Sequence, residues 1–331
     1  MIKAGVIGTG SYLPEKRETI DDFLKKGATR ELIEKWGVFE HRVMAEDETV
    51  TDMEVKASKI ALEQAGIGPE DIDLIISGSA IPRQIGVPNS NAIQYRIGAK
   101  RSAAFDVLMA CGSAIPEIII AAQFISLKQY RYILLTGSCH LTRIADPSDP
   151  ASFVVIGDGA GALVMGPSES SGILSFDIQT KGEFFDYCGA KIKKPKKGSI
   201  ERDYYQSSQE RLYFYIEDVE NASSGVVRYL VSSVPATVKK ALSNAKLTIN
   251  DIDILISHQN INPLVGNWLK MLGIPMEKAH LTYSKYGNMS AANIFVNLDE
   301  AFQMNKIKKG DIVVLAGQGA GFSVGSIVMK W

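Results

Sequence analysis

One stretch of this chain occurs twice. Residues 61–77 read ALEQAGIGPEDIDLIIS and residues 241–257 read ALSNAKLTINDIDILIS, a displacement of 180 positions (61 to 241). Ala61, Leu62, Ala65, Asp71, Ile72, Asp73, Ile76 and Ser77 recur as Ala241, Leu242, Ala245, Asp251, Ile252, Asp253, Ile256 and Ser257. Each copy reads as the end of a helix, a turn and a short buried strand. The same displacement sets YILLTG at 132–137 against IVVLAG at 312–317. A looser match, displaced by 177 (110 to 287), sets ACGSA at 110–114 against GNMSA at 287–291, and so Cys111 against Asn288. A long unit that occurs only twice implies two similar halves, because a solenoid needs several short units. The halves are expected over 1–170 and 171–331, each near the usual size of a domain.

Composition narrows the function classes. Apolar residues make up 46% of the 331, enough for a sizeable core, and the net charge is −1. That balance gives no electrostatic grip on nucleic acid or an anionic membrane. Cys111, Cys139 and Cys188 are irregularly spaced, so neither a disulfide framework nor a metal site is expected. The apolar stretch at the N-terminus is too short for a signal peptide. The apolar run Ile115–Leu127 holds Glu117 and Gln123 and does not span a bilayer. A cytoplasmic protein is the expectation.

Short β-branched runs alternate with helical patterns. Strands are predicted at 4–8, 73–78, 103–108, 132–137 and 162–166, then at 173–176, 253–257, 312–317 and 326–330. A helix is predicted over 52–65 behind a capping box Thr51–Glu54, and another from Pro235 to Ala245. Continuous apolar strands between helices predict mixed sheets covered on both faces, an α/β fold in two layered halves. Residues 15–50 read as a helical insertion. Residues 181–211, with the Lys-rich run 191–198, read as a solvated excursion, or alternatively as a basic docking surface for an acidic carrier protein.

The chemistry centres on Cys111. It follows the strand AAFDVL and precedes an apolar helix, so its sulfur is expected at a helix N-terminus, where a thiol pKa falls. The all-round apolar helix implies burial and access through a tunnel. The repeated unit then marks two partners. The first copy of the strand ends Ser77-Gly78 and the second Ser257-His258, so an imidazole stands where the sister half has glycine. Cys111, His258 and Asn288 at corresponding turns can converge between the halves. Gly157–Gly161 lacks phosphate-loop spacing and reads as a tight turn, with Asp158 bonding local backbone. Cys139, Cys188, His41, His140 and His280 are read as bystanders. Glu117 reads as a paired structural carboxylate, or alternatively as a contact for a polar acyl group.

At this point the chain resembles the thiolase-fold condensing enzymes, most closely the β-ketoacyl-acyl carrier protein synthase III family. The resemblance covers essentially all of the chain. It rests on TGSYLPE (9–15), DETVTDM (47–53), AFDVLMACG (104–112), DPSD (146–149), GDGAGA (157–162), HQNIN (258–262), YGNMSAAN (286–293) and GFSVGS (321–326). It implies two pseudo-symmetric α-β-α-β-α halves with mixed five-stranded sheets, and a homodimer. It makes Cys111 the acyl-accepting nucleophile, with His258 and Asn288 its partners. The backbone N–H groups of Cys111 and Ala320 would hold the tetrahedral oxyanion. A malonyl thioester would then lose CO₂ and condense with the acyl-cysteine, with no metal or redox cofactor. Substrates would be thioesters of coenzyme A or of an acyl carrier protein. Rival readings are an O- or N-acyltransferase using the same cysteine, and a partner subunit of a heteromeric synthase.

The entrance departs from the family pattern. Glu31 stands where an adenine-stacking tryptophan is usual, with Trp36 close by. Pro150 and Pro263 replace two arginines, and Val87 replaces a large aromatic that closes the tunnel from the neighbouring subunit. Val87, Glu117 and Phe322 are therefore candidate tunnel residues.

Overall fold

The computed structural model describes residues 3–83, 86–146, 148–185, 187–192, 212–216 and 225–331. Two five-stranded sheets carry the architecture. The first has strand order β1 (Lys3–Tyr12), β7 (Gly159–Ser168), β6 (Ile133–Cys139), β4 (Leu74–Ser77), β5 (Ala103–Asp106). The second has β8 (Gly172–Thr180), β14 (Ser323–Lys330), β13 (Ile312–Gly319), β11 (Ile254–Ser257), β12 (Ala279–His280). In each, the first three strands are antiparallel neighbours and the last three parallel ones. The strand pairs β4/β11 and β6/β13 keep the displacement of 180 seen in the sequence.

Helices lie in three layers. α3 (Val50–Ala65) covers the outer face of the first sheet and α7 (Gly225–Asn244) that of the second. α5 (Ala114–Ser126) and α10 (Asn293–Gln303) fill the space between the sheets. Strand periodicity shows why: Leu74 and Ile76 join the central core with Ile115 and Ile118, while Ile75 joins α3 on the other side. In the second half Ile254 and Ile256 face the centre and Leu255 faces α7. A strand with both faces covered has no polar side, hence the unbroken apolar runs.

Around this frame, the antiparallel pair β2 (Arg17–Thr19) and β3 (Glu40–Arg42), with α1 (Ile20–Lys25) and α2 (Arg30–Trp36) between its strands, forms the early insertion. α4 (Asn89–Ile97) precedes β5, and α6 (Pro150–Val154) precedes β7. β9 (Cys188–Ile192) pairs with β10 (Leu212–Ile216), and α8 (Asn262–Leu272) and α9 (Tyr283–Tyr286) complete the second half. Residues 193–211, with most of the Lys-rich run, lie outside the described residues. No helix among the described residues is long and apolar enough to cross a membrane.

Several expectations are corrected. α3 starts at Val50, and its capping box is Thr49–Asp52: the Asp52 carboxylate takes the Thr49 N–H at 2.7 Å. Thr51 and Glu54 are instead buried inside the helix, where both bond Asn89. Pro235 lies inside α7 and does not open it. An interior proline costs about 3 kcal/mol, and the buried face of Val226, Leu230, Val234, Val238 and Leu242 offsets it. The insertion at 15–50 contains an antiparallel strand pair besides its helices, whose three-residue strands are too short to show a period.

The two halves are also tied directly. Thr9 and Ser11 of β1 each place a hydroxyl 2.6 Å from a carboxylate oxygen of Asp299 on α10. Asp299→Ala is expected to lower the unfolding free energy by about 3 kcal/mol, read by chemical denaturation, and Asp299→Asn to recover part of that loss.

Candidate active site

Cys111 sits on a 3₁₀ turn, Ala110–Gly112, between β5 and α5. Ala110 has φ +46, a left-handed conformation that turns the chain sharply. Ser113 closes the turn, accepting the Met109 N–H at 2.9 Å and donating to the Ala110 carbonyl at 2.8 Å. The second half repeats the device 180 positions on: Ser290–Ala292 is also a 3₁₀ turn, and Ser290 has φ +45. The geometric counterpart of Cys111 is therefore Ala291. The sequence match of Cys111 with Asn288 is corrected, because the shared ACGSA/GNMSA letters follow composition while the turn geometry keeps the main displacement.

Asn288 lies three residues before that counterpart and is held by the first half. Its N–H donates to the Val155 carbonyl at 2.8 Å, and its carbonyl accepts from Gly157 at 3.1 Å. A β-carbon on Gly157 would overlap the Tyr286 carbonyl, so glycine permits this approach. Gly161 likewise admits Phe295 of α10. The tight turn expected at GDGAG is corrected: the segment is extended, enters β7 at Gly159 and gives the Asn288 loop a flat strip to lie on. Asp158 accepts from Met44 N at 2.9 Å and from Thr142 N at 3.1 Å, 114 and 16 positions away, so its partners are not local. The Asn288 Oδ1 accepts the Ser290 N–H at 2.8 Å, which leaves the Nδ2 end as the donor.

His258 follows β11 and is 1% exposed. Its N–H bonds the Ala316 carbonyl at 2.8 Å, and its Nδ1 is buried without a partner among the described residues. The strand end beneath it is fixed by amides. Asn297 donates to the Ser257 carbonyl at 3.0 Å, and Asn293 to the Gln259 carbonyl at 3.1 Å. Gln259 accepts from Thr282 N at 2.8 Å and Tyr283 N at 3.0 Å. Burial alone pushes the His258 pKa down to about 3, so the imidazole is neutral at ordinary pH.

The Cys111 environment differs from the expectation. Burial raises its thiol pKa, opposed by a bond from Ser290 Oγ at 3.2 Å and by the N–H groups of Cys111 and Ala320. Desolvation outweighs these three donors, so the resting group is a thiol. Ser290 is a neighbour the sequence reading missed; only its place in YGNMSAAN, one turn opposite Cys111, could have flagged it. Burial raises the thiol pKa of both Cys139 and Cys188, and their nearness to Cys111 adds to it in a smaller way. His41 pairs with Glu18 at 3.2 Å and His280 with Glu300 at 2.9 Å; His140 is mostly buried, its pKa pushed down to about 4.

The candidate tunnel residues separate. Phe322 is buried, its ring 5.9 Å from that of Tyr187. Glu117 is buried on α5, and the hydrogen-bonded or ionic pairing expected of its carboxyl group is not found among the described residues; Val87 is 50% exposed. At the entrance Glu31 is exposed, while Trp36 is 6% exposed with the Lys35 ammonium 5.3 Å from its ring centre. Trp36 therefore offers no open ring face for stacking on that side. Because the Cys111 thiol is raised, its alkylation by iodoacetamide is expected to show a midpoint above the ordinary cysteine value of about 8.5. A midpoint below that value, followed by mass spectrometry, would contradict the burial argument.

Comparison with known proteins agrees with this geometry. Residues 105–182 match the family profile described as 3-Oxoacyl-[acyl-carrier-protein (ACP)] synthase III, and residues 242–331 match its C-terminal counterpart. The beta-ketoacyl-[acyl-carrier-protein] synthase III of Clostridioides difficile (strain 630) is 37% identical over 332 residues, 99% of this chain and 98% of that one. The protein of the same name from Natranaerobius thermophilus is 34% identical, with both chains covered completely. Among solved structures, the synthase III from Thermus thermophilus superposes with a TM-score of 0.87 at 28% identity, covering 99% of each chain. The priming beta-ketosynthase of the R1128 polyketide pathway gives 0.89 at 27% identity, covering 99% of this chain and 96% of that one. With its two matched sheets and these full-length relatives, the chain belongs to the 3-oxoacyl-[acyl-carrier-protein] synthase III family of acyl-transferring condensing enzymes.

Proposed function

We propose that Cys111 accepts the acyl group of a thioester and that the acyl-enzyme then condenses with a malonyl thioester. What carries this reading is the pair of backbone N–H groups, Cys111 and Ala320, directed at the Cys111 sulfur. Donors there lie beside the carbon that the sulfur attacks, where the tetrahedral oxygen gathers charge. In the first half-reaction the sulfur adds to the acyl carbon. Collapse of the adduct expels the donor thiol, which leaves with the proton that Cys111 gives up.

In the second half-reaction the malonyl carboxylate departs as CO₂, and its electron pair forms an enolate. Neutral His258 and the Nδ2 end of Asn288 supply N–H donors for that oxygen. A cationic imidazole would be costly at a site so buried. The enolate carbon attacks the acyl carbon, the C–S bond to Cys111 breaks, and the released thiolate takes up a proton from solvent water. Every other group in this scheme comes from the chain or from its two thioester substrates. The acyl donor is a thioester of coenzyme A or of an acyl carrier protein. Transfer to an alcohol or amine, and a non-catalytic subunit, are not favoured by the relatives.

The protomer is read as half of a homodimer. β5 is the outer strand of its sheet, and Leu108, just beyond it, is 71% exposed. An open sheet edge beside an apolar side chain suits pairing with a second copy.

Intact-mass spectrometry across a panel of acyl thioesters tests the chemistry. An acyl adduct is expected on the wild-type protein and not on Cys111→Ala, and adding malonyl thioester is expected to release CO₂ and discharge the adduct. An adduct that persists in Cys111→Ala would overturn the assignment of the nucleophile. A wild-type adduct with no CO₂ release would overturn condensation.

A further inference from the structure

Two carboxyl side chains are buried at the end of β4, and neither forms an ion pair among the described residues. Glu54 arrives from α3 and Glu117 from α5. Their surroundings differ. Glu54 accepts from Asn89 Nδ2 and from Ser138, and lies 3.4 Å from the Ser77 hydroxyl. Neither oxygen of Glu117 has a hydrogen bond of ordinary geometry, and the Thr136 N–H favours its charged form only weakly. A buried carboxyl group surrounded by donors can carry charge, whereas one without them stays an uncharged acid.

The pseudo-symmetry marks the position. At the displacement of 180, Glu117 falls on Asn297, Ser113 on Asn293 and Gly78 on His258. In the second half Asn297 donates to the Ser257 carbonyl at 3.0 Å and to Asn293 at 2.8 Å, tying down the strand end that carries His258. In the first half the same place holds a carboxyl group packed on glycine. A β-carbon on Gly78 would overlap Glu117 Oε1 and lie 2.5 Å from Ser113 Cβ. Ser113, one helical turn before Glu117, is the residue whose hydroxyl closes the Cys111 turn.

We propose that Glu117 is a positioning residue for the Cys111 turn: in its uncharged form it braces Ser113 against Gly78, with Glu54 as its electrostatic partner across the end of β4. Ionised, Glu117 would need hydration that the contact with Gly78 and Ser113 excludes, so the side chain and Ser113 would shift together. The charged groups facing it are Glu54 from α3 and Asp106 from β5, both acidic, and each favours the uncharged state. Burial lifts Glu54 to about 8 and Glu117 well above its ordinary value of 4.5. Between the ordinary and the raised values the folded state holds protons that the unfolded state has lost. Stability therefore falls as pH rises through that interval.

The activity arm of the test rests on the reading of Cys111 as acyl acceptor; the spectroscopic and stability arms do not. The infrared carbonyl band of a protonated carboxyl group is recorded for wild type, Glu117→Gln and Glu54→Gln across pH. Thermal unfolding and single-turnover acylation are followed on the same samples. The expected result is a neutral-pH acid band that weakens in Glu117→Gln. In Glu54→Gln, which lacks the neighbouring charge, the remaining band should disappear at lower pH than in wild type. Glu117→Gln should also flatten the fall of Tm with pH and remove an alkaline decline in acylation. A neutral-pH acid band undiminished in Glu117→Gln overturns the proposal. So do Tm and acylation profiles that coincide in wild type and Glu117→Gln. If Glu117→Gln does not fold, an acid band in Glu54→Gln that titrates as in wild type overturns it instead.

Discussion

The Cys111 turn and the end of β13 meet backbone to backbone. A β-carbon on Gly319 would overlap the Met109 carbonyl, and one on Gly112 would lie 3.1 Å from the Gln318 carbonyl carbon. This approach of the first half to the second brings the Ala320 N–H within reach of the Cys111 sulfur. The layers of the fold make it possible. α5 and α10 lie between the sheets, and each begins directly after one of the two matched 3₁₀ turns. Strand ends of both sheets therefore meet at one place, and side chains at those ends do the chemistry.

The halves share a frame but differ in what fills it. At the end of β11 a buried amide network of Gln259, Asn293 and Asn297 supports an imidazole. At the end of β4 the same positions hold Ser79, Ser113 and Glu117, and glycine stands in place of the imidazole. The backbone N–H of Gly78 bonds the Thr136 carbonyl and that of His258 the Ala316 carbonyl, both at 2.8 Å, as burial demands. These differences lie in side chains, while both turns are 3₁₀ turns with a matching left-handed residue, φ +46 and φ +45.

Much of this was legible in the sequence. The copied ALxxA and DID segments located β4 and β11, and the apolar strands implied two covered faces. Cys111 and His258 stood out as departures between the copies. Other features depend on contacts that letters do not carry. The capping box resolved to Thr49–Asp52 because two overlapping patterns compete, and burial draws Thr51 and Glu54 toward Asn89. The thiol pKa rises because desolvation by the surrounding layers outweighs the Ser290 bond and the two backbone N–H groups, a balance set by packing. Ser290 went unseen because its hydroxyl reaches Cys111 only once the halves are joined.

Acylation depends most on the contact between Gly319 and the Cys111 turn, and Gly319→Ala probes it directly. The measurement is the single-turnover rate of acyl-adduct formation on Cys111, with circular dichroism as the check that the fold is kept. Displacing the Ala320 donor by about an ångström is predicted to slow acylation by about a hundredfold, while the helical signal is unchanged. A folded Gly319→Ala protein that acylates at the wild-type rate would contradict the account.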